Sequence, residues 1–288
     1  MTRTRPWPPE PREGRSPRRG RDDREASARA SRAQIEGRRA VLEALKSGME
    51  FSSLRISGRA EPSAVLNELL EEARKRRVRA ERVHPEVLDA LSQTGHHQGV
   101  MADVQVRPPM PLETLLKRAR APGTDPFLVV LDGIEDPQNL GAIARSAEAA
   151  GAHGLVISTK RAAGVSPGSV RASAGALLLM PIAEVPNTAR ALEWLKSKDV
   201  WVAGTAPEGG TPYHQAKLGG PLAVVVGSES RGLHRLVRDR CDFLLTVPLE
   251  GRVGSLNASA AAAVVLFEVA RQRRAAQPQS DERTKTPK

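Results

Sequence analysis

Short apolar segments over residues 34–107 alternate between helical and strand spacing. GRRAVLEALKSG has apolar residues three and four positions apart and ends at Gly48, which predicts a helix. SAVLNELLEEARKRRV predicts a second helix, with Val65, Leu69 and Ala73 on one face. PEVLDALSQ predicts a short helix, and strands are predicted for SSLRISG, RAERV and GVMADVQV. This alternation predicts a small α/β unit.

Longer apolar segments alternate with helical patterns over residues 127–274. Strands are predicted for FLVVLDG, GLVIS, VWVAGTA, PLAVVVGSE and FLLTVPL. Helices are predicted for NLGAIARSAEAAG, TARALEWLKSKD, RGLHRLVRDRC and an alanine-rich segment opened by Ser255. Strands that are apolar throughout are typical of a mostly parallel sheet covered on both faces, so the predicted fold class is α/β.

Three segments lack these patterns. Residues 108–126 carry prolines and a Gly-Thr turn, and we expect a linker around one short helix. Residues 1–33 are rich in Arg, Pro, Ser and Gly and predict a disordered basic arm, which either adds affinity for phosphates or only improves solubility. Residues 275–288 predict a disordered polar tail.

The net charge of +11 favours a polyanionic partner, nucleic acid before membrane. A solvated surface rich in arginine is the alternative interpretation. The most basic stretch of the first unit is a candidate RNA-facing surface, or else an ordinary solvated helix end; it contains Arg74, Lys75, Arg76, Arg77, Arg79 and Arg82.

The single cysteine, Cys241, excludes a disulfide within the chain and suits a reducing cytoplasm. We expect its side chain to pack as a small hydrophobic group and not to act as a nucleophile. No apolar run approaches the roughly 20 residues of a membrane span, and the N-terminus has no apolar core of a secretory signal. The expected location is therefore the cytoplasm.

Several cofactor motifs are missing from the sequence. No G-x-G-x-x-G follows the first strand of the second unit, no Walker lysine loop occurs, and no Cys/His set has zinc spacing. A G-x-S-x-G nucleophile elbow is also missing. His96 and His97 are neighbours, so their side chains point apart on an extended chain, and a surface or packing role is favoured over a shared metal.

Small polar residues cluster where three predicted strands end, which is where open α/β sheets bind ligands. In LDGIEDPQNLGAIAR, Asp136 and Pro137 predict a helix N-cap and first helical residue. Asn139 follows in the first turn, where it caps the helix or fixes a polar group. Arg145 lies on an otherwise apolar helix, which indicates either a surface ion pair or a bound anion.

The other two strand ends are VVVGSESRGL and VPLEGRVGSLNAS. Gly227 permits close approach of a ligand, and Glu229 either caps the next helix or accepts hydrogen bonds in a site. Ser255 is predicted as the N-cap of the last helix. A cap needs only one polar side chain, so Asn257 is left for another role.

Together, LDGIEDPQNLGAIARSAEAAG, VVGSESRGL and VPLEGRVGSLNASAAAAVVLFE resemble the three motifs of the SpoU (TrmH) class of SPOUT RNA 2'-O-methyltransferases. The first unit resembles the L30e-like RNA-binding domain of members that methylate a guanosine of 23S ribosomal RNA. The resemblance implies a trefoil knot in the methyltransferase domain, a homodimer formed through that domain, and S-adenosylmethionine as cofactor.

The resemblance also implies roles for individual residues. Its cofactor contacts fall on Gly204, Thr205, Gly227, Val247, Leu249, Ser255 and Leu256. Its active-site positions fall on Asn139, Arg145, Glu229, Ser255 and Asn257. Because a guanidinium stays protonated in proteins, Arg145 is expected to hold a phosphate or stabilise the developing alkoxide. The two asparagines would orient the ribose or neighbouring side chains, and Glu229 would position the substrate or Arg145.

The expected function is methylation of a ribose 2'-hydroxyl in large-subunit ribosomal RNA. A transfer-RNA 2'-O-methyltransferase is the alternative within the same class, and the separate front domain argues against it. A catalytically silent RNA-binding or ribosome-assembly factor is the alternative from another class. Antibiotic resistance by methylation of another ribosomal nucleotide also stays open.

Overall fold

The computed structural model describes residues 32–105, 108–160, 162–252 and 254–276, which form two β-sheets with helices around them. The first sheet has four strands in the order β1-β4-β2-β3. β4 runs antiparallel to both β1 and β2, and β3 is parallel to β2. The bounds are β1 Arg32–Glu36, β2 Phe51–Ser57, β3 Ala80–Val83 and β4 Val100–Gln105.

Three helices cover this sheet: α1 Arg38–Lys46, α2 Ala64–Lys75 and α3 Pro85–Leu91. The predicted face of α2 is confirmed at Leu69 and Ala73, which are buried, whereas Val65 is only half-buried and Leu66 is buried in its place. Ser63 caps α2 by accepting a hydrogen bond from the Leu66 amide at 3.2 Å. The sequence therefore predicted the α/β character of the first unit correctly.

Strand β1 was not predicted, because only two of its positions are apolar and alternate. The predicted disordered arm, residues 1–33, lies outside the described residues except for Arg32 and Ala33. These two residues belong to β1, where Ala33 pairs with Val104 of β4 and is buried. The arm as predicted was thus too long by two residues.

The second sheet has seven strands in the order β7-β6-β5-β10-β8-β11-β9, and every pair in it is parallel. The predicted parallel sheet is confirmed. All residues of β5 and β10 are buried, as expected for two neighbouring strands near the centre of a covered sheet. The bounds are β5 Phe127–Asp132, β6 Gly154–Ser158, β7 Ile182–Val185, β8 Trp201–Thr205, β9 Thr211–Pro212, β10 Leu222–Gly227 and β11 Phe243–Thr246.

Successive residues of β5 point to opposite faces of this sheet. The helices around it are α4 Leu112–Ala119, α5 Pro137–Ala149, α6 Pro167–Ala172, α7 Ala176–Leu179, α8 Thr188–Lys196, α9 Arg235–Arg238 and α10 Ala258–Ala276, with a 3₁₀ turn at Tyr213–Gln215. Phe127, Val129 and Leu131 of β5 pack with α5 and α10, whereas Leu128 and Val130 pack with α4 and α8.

The structure corrects four predictions on the second unit. α9 has four residues where RGLHRLVRDRC predicted a longer helix, because Ser228 to His234 form a tight loop. The last helix begins at Ala258 and extends to Ala276, two residues into the predicted tail. The remaining tail lies outside the described residues. The elements α6, α7, β7 and β9 were not predicted.

Residues 108–126 do not behave as a free linker. Leu115 of α4 is fully buried, and the Met110 amide donates to the Ile182 carbonyl of β7 at 2.8 Å. A Cβ on Gly154 would lie 2.5 Å from Leu115 Cδ1, so the glycine is what lets α4 pack this closely on β6. The predicted short helix is confirmed, but it is part of the core.

The C-terminal helix α10 is held by polar contacts at its end. Gln272 donates to the Ala216 carbonyl at 2.9 Å and accepts from the Leu218 amide at 2.8 Å. Hydrogen bonds from Arg271, and then from Gln272, lower the pKa of Glu268 to about 2, although burial acts in the opposite direction. These contacts tie the end of α10 to the segment between the 3₁₀ turn and β10.

Among the described residues, no helix is both long and apolar enough to cross a membrane. The trefoil knot implied by the resemblance stays a prediction.

The packing of α5 on α6 gives a test of the fold. A Cβ on Gly141 of α5 would lie 2.5 Å from both the Ala172 Cβ and the Ser169 carbonyl oxygen. Gly141→Ala should lower the free energy of unfolding by about 1–3 kcal/mol, because the contact includes backbone that cannot rotate away. The measurement is urea unfolding followed by circular dichroism.

Gly168 of α6 offers a matched control. A Cβ there would meet nothing closer than 3.8 Å, so Gly168→Ala should change stability by no more than about 0.5 kcal/mol. Equal stability of the two variants would contradict the close packing of α5 and α6.

Candidate active site

The carboxyl ends of β5, β8, β10 and β11 lie at one edge of the parallel sheet. The loops that follow β5, β10 and β11 carry the three sequence motifs. Because parallel strands present the same ends at one edge, side chains distant in sequence meet there.

Three of these side chains form one hydrogen-bonded group, which we call the Asn–Glu–Asn cluster: Asn139, Glu229 and Asn257. Asn139 Nδ2 donates to Glu229 Oε1 at 2.5 Å, and Asn257 Nδ2 donates to Asn139 Oδ1 at 3.1 Å. Asn257 Nδ2 also donates to Glu229 Oε1. One carboxylate oxygen therefore accepts from both amides and fixes their orientation.

Asn139 is placed by the start of α5. Asp136 caps this helix by accepting from the Gln138 amide at 2.9 Å, and Pro137 is the first helical residue. The predicted cap is confirmed. Asp136 Oδ2 also accepts from Asn139 Nδ2 at 3.2 Å, and Asn139 is only 6% exposed.

Asn257, and not Ser255, is the N-cap of α10. Asn257 Oδ1 accepts from the amides of Ser259 at 2.8 Å and Ala260 at 3.3 Å. The prediction that Ser255 caps the helix was wrong, because a cap at Ser255 requires the helix to begin at residue 256 and it begins two residues later, at Ala258. Asn257 uses its oxygen for the cap and its nitrogen for the cluster, so one side chain does both.

Glu229 is presented by a tight loop after β10. Ser228 and Gly232 exchange two backbone hydrogen bonds at 3.0 and 2.8 Å. A Cβ on Gly227 would lie 2.3 Å from the Gly232 carbonyl carbon. The close approach that Gly227 permits is thus made by the protein's own backbone. Glu229 caps no helix; it accepts from the two asparagines.

A second contact holds the end of this loop. The buried carboxylate of Asp132, at the end of β5, accepts from the His234 backbone amide at 2.8 Å. Asp132 also lies 3.1 Å from His234 Nδ1. The loop that carries Glu229 is therefore fixed at both ends.

An apolar cleft opens beside the cluster, between the ends of β8, β10 and β11 and the start of α10. Six of the seven predicted cofactor contacts line it: Thr205, Gly227, Val247, Leu249, Ser255 and Leu256. Its other lining residues are Ala206, Pro207, Val226, Ser228, Glu229, Gly232, Leu245, Ala258, Ala261 and Val265.

The seventh, Gly204, does not line this cleft. A Cβ on it would lie 2.7 Å from both Cys241 Sγ and Leu233 Cδ1. The absence of a side chain at Gly204 is therefore required by packing against Cys241 and Leu233, whereas the family resemblance implied a cofactor contact there.

A polar cleft meets the apolar cleft at Ser228 and Glu229. It is lined by Gly133, Ile134, Glu135, Asp136, Asn139, Ser228, Glu229, Ser230, Arg231 and His234. Glu135, Arg231 and His234 were not among the site residues predicted from the sequence. The available signal was their position, since each lies in or directly beside a motif.

Arg145 is the predicted active-site residue that lies neither in the cluster nor in either cleft, whereas Ser255, also outside the cluster, lines the apolar cleft. Arg145 follows Asn139 by six residues, which places it about 240° around α5 and about 9 Å along it. Its exposed side chain lines a different groove, between α1 and α7, with Arg39 and Glu43. Among the residues the structure describes, Arg145 makes no hydrogen bond or ion pair.

Two other residues considered in the sequence have packing roles. His97 Nδ1 accepts from the Gly99 amide at 3.0 Å, and its Nε2 lies 2.9 Å from Asp89 Oδ1. Cys241 is partly buried, and burial raises the pKa of its thiol to about 12, which makes it a poor nucleophile.

The basic stretch of the first unit lies at the end of α2 and on β3. Arg76 turns inward and donates to the Leu45 carbonyl. The other five residues are exposed, and within the described part of the chain only Lys75 among them forms an ion pair, with Glu72 at 3.3 Å. This surface can therefore meet a phosphate backbone.

Two family models match the chain. The model described as the SpoU rRNA Methylase family matches residues 126–267. The model described as RNA 2'-O ribose methyltransferase substrate binding matches residues 34–110.

Individual proteins are similar over most of the chain. A putative TrmH family tRNA/rRNA methyltransferase of Bacillus subtilis is 40% identical over 82% of this chain and 94% of its own length. The 23S rRNA (guanosine-2'-O-)-methyltransferase of Pseudomonas putida is 42% identical, over 75% of this chain and 86% of its own length. The SpoU methyltransferase AviRb of Streptomyces viridochromogenes, solved with AdoMet, is 30% identical with a TM-score of 0.70, covering 88% of this chain and 95% of that one.

The two roles of Asn257 can be separated by substitution. Asn257→Ala should lower the free energy of unfolding by about 1 kcal/mol, because α10 loses its cap. Asn257→Ser keeps a capping oxygen and should lose less stability, although it removes the amide that binds Glu229. Thermal or urea unfolding measures both variants.

Ser255→Ala is the control, and its stability should stay within about 0.5 kcal/mol of the unchanged protein. A loss at Ser255 as large as that at Asn257 would show that the cap is assigned to the wrong residue.

Proposed function

Because the chain belongs to the SpoU rRNA methylase family, we propose that it methylates a ribose 2'-hydroxyl of RNA with S-adenosylmethionine, and that the target is a guanosine of 23S ribosomal RNA. The observation that carries this proposal is the apolar cleft that ends at the Asn–Glu–Asn cluster. It joins the predicted cofactor contacts to three of the predicted active-site residues.

The residues of the apolar cleft fit S-adenosylmethionine. Val226, Leu245 and Val265 provide apolar wall for an adenine ring, and Ala258 and Ala261 leave room beside them. Ser228 and Glu229 supply polar groups at one end for the charged part of the molecule. When bound, S-adenosylmethionine supplies a methyl group on a positively charged sulfur.

The cluster is suited to orienting a hydroxyl through Glu229 Oε2, which makes no hydrogen bond within the described residues, whereas Oε1 and both amides are already paired. Its two amides are fixed by a shared carboxylate, so they do not reorganise when a ribose arrives. Glu229 also holds negative charge where the apolar cleft meets the polar cleft. The remaining requirement is in-line placement of the ribose oxygen, together with stabilisation of charge on that oxygen as its proton leaves.

We assign that stabilisation to Arg145, from a second copy of the chain. Within one chain Arg145 lies on another face of α5 from Asn139, so it does not reach the cluster. α10 packs on α5 and presents Phe267, which is 51% exposed, as an apolar contact for a partner. A homodimer through these helices would complete each site with a guanidinium that stays protonated.

Ribosomal RNA is favoured as substrate by the first unit. Residues 34–110 match a substrate-binding model, and exposed arginines at the end of α2 offer a surface for a phosphate backbone. The similar protein of Pseudomonas putida is a 23S rRNA guanosine methyltransferase. The similar protein of Bacillus subtilis has a name that covers both tRNA and rRNA, so transfer RNA is the competing substrate.

The substrate proposal is tested with labelled S-adenosylmethionine and RNA from a strain that lacks this protein. We expect label in 23S ribosomal RNA at the 2'-oxygen of one guanosine, located by nuclease mapping, and none in 16S RNA or transfer RNA. Label in transfer RNA alone would contradict the ribosomal substrate. Absence of label in every RNA would contradict methyl transfer itself.

The role of Arg145 is tested by complementation between subunits. Arg145→Ala and Asn139→Ala should each abolish turnover, while Arg145→Ala still binds S-adenosylmethionine. When the two are co-expressed, half of the dimers are mixed and each mixed dimer has one intact site, so about a quarter of the activity should return. Full activity of Arg145→Ala, or no recovery in the mixture, would contradict the assignment.

A further inference from the structure

None of the seven predicted cofactor contacts lines the polar cleft, which lies next to the proposed methyl-transfer site. It meets the apolar cleft at Ser228 and Glu229, and its lining includes Asn139 of the cluster. A nucleophile must approach the methyl group from the side opposite the sulfur that leaves. The acceptor nucleotide therefore needs a space that adjoins both the cluster and the apolar cleft, and the polar cleft is such a space.

Most polar side chains in this cleft are already engaged. Asp136 accepts from Gln138 and Asn139, and Glu229 accepts from the two asparagines. The His234 ring is held 3.1 Å from Asp132, so it presents a fixed aromatic wall. These residues shape the cleft but have little capacity left for a new ligand.

Two charged side chains in the cleft remain available. Within residues 32–105, 108–160, 162–252 and 254–276, the side chains of Glu135 and Arg231 form neither a hydrogen bond nor an ion pair. Both are exposed and both line the cleft. The cleft thus offers one carboxylate and one guanidinium to whatever enters it.

A free carboxylate discriminates among the four bases. Guanine carries two adjacent donors on its Watson–Crick edge, N1–H and the N2 amino group, and the two oxygens of a carboxylate can accept from both. Adenine and cytosine present a ring nitrogen acceptor at the corresponding position, which a carboxylate repels. Uracil offers a single donor flanked by carbonyl oxygens.

We infer that Glu135 recognises the Watson–Crick edge of a target guanine in the polar cleft, with Arg231 binding a neighbouring phosphate. Enzymes that modify a nucleotide commonly read the extruded base through hydrogen bonds to this edge. His234 would lie beside the base, where an aromatic ring stacks well. This inference rests on the proposed function, and it names the residue that selects the nucleotide.

The test compares two versions of one RNA substrate, with guanosine or inosine at the target position. Inosine lacks the N2 amino group and so loses one of the two hydrogen bonds to Glu135. For the unchanged protein, kcat/KM should be about 10- to 100-fold higher for guanosine than for inosine. In Glu135→Gln and Glu135→Ala this ratio should fall close to one, with binding of S-adenosylmethionine unchanged.

Two further variants separate recognition of the base from general effects. Glu184 is exposed on β7, an edge strand of the sheet, and serves as a control. Glu184→Gln should keep the wild-type ratio of kcat/KM between guanosine and inosine RNA. Arg231→Ala should raise KM for both RNAs by a similar factor and leave the ratio unchanged, because a phosphate contact carries no base identity.

The possible failures are distinguishable. The role of Glu135 alone would be overturned if the wild-type protein methylates guanosine RNA and the Glu135→Gln variant keeps the wild-type ratio of kcat/KM between guanosine and inosine RNA. Methylation of a nucleotide other than guanosine would also overturn it. An unchanged protein that binds S-adenosylmethionine but methylates no RNA would overturn the proposed function. If Glu135→Gln loses all turnover, the ratio of kcat/KM cannot be measured. The affinities of this variant for guanosine RNA and inosine RNA are then measured by fluorescence anisotropy, and they should be equal.

Discussion

The shared hydrogen bonds of Glu229 with Asn139 and Asn257 are the interaction on which the candidate site depends. They join Glu229 to residues that are 90 and 28 positions away in the chain. Hydrogen bonds to a charged acceptor are stronger than those between neutral groups, and here a single carboxylate oxygen receives two of them. Without Glu229, the Asn139 amide would lose one of its two carboxylate partners, the other being Asp136, at a position that is only 6% exposed.

The fold supplies this geometry through ordinary helix and strand endings. Asp136 and Pro137 start α5 so that Asn139 faces inward, and Asn257 starts α10 with its nitrogen free for Glu229. Gly227 lets the loop after β10 fold back on itself, close to the strand. The residues that fix the helix starts therefore also fix the chemistry, which couples activity to local stability.

The two clefts divide the proposed reaction between them. The apolar cleft fits a cofactor because its walls are apolar and many of its residues are small. The polar cleft fits a nucleotide because it is lined by carboxylates, a guanidinium and a fixed histidine. Glu229 belongs to both, so it lies where the transferred group would cross. Arg145 belongs to neither cleft, and for this reason the proposed active site requires a second copy of the chain.

The sequence by itself determined the two α/β units and the parallel sheet, because apolar periodicity is a local pattern, and the residues of the cluster followed from the resemblance of the strand-end motifs to those of a known family. It placed the cap of α10 on Ser255, since composition does not show at which residue a helix begins. Only the tertiary structure decided that Gly204 serves packing, that α4 joins the core and that Arg145 points elsewhere. Each of these depends on contacts between segments far apart in the chain, which no local pattern records.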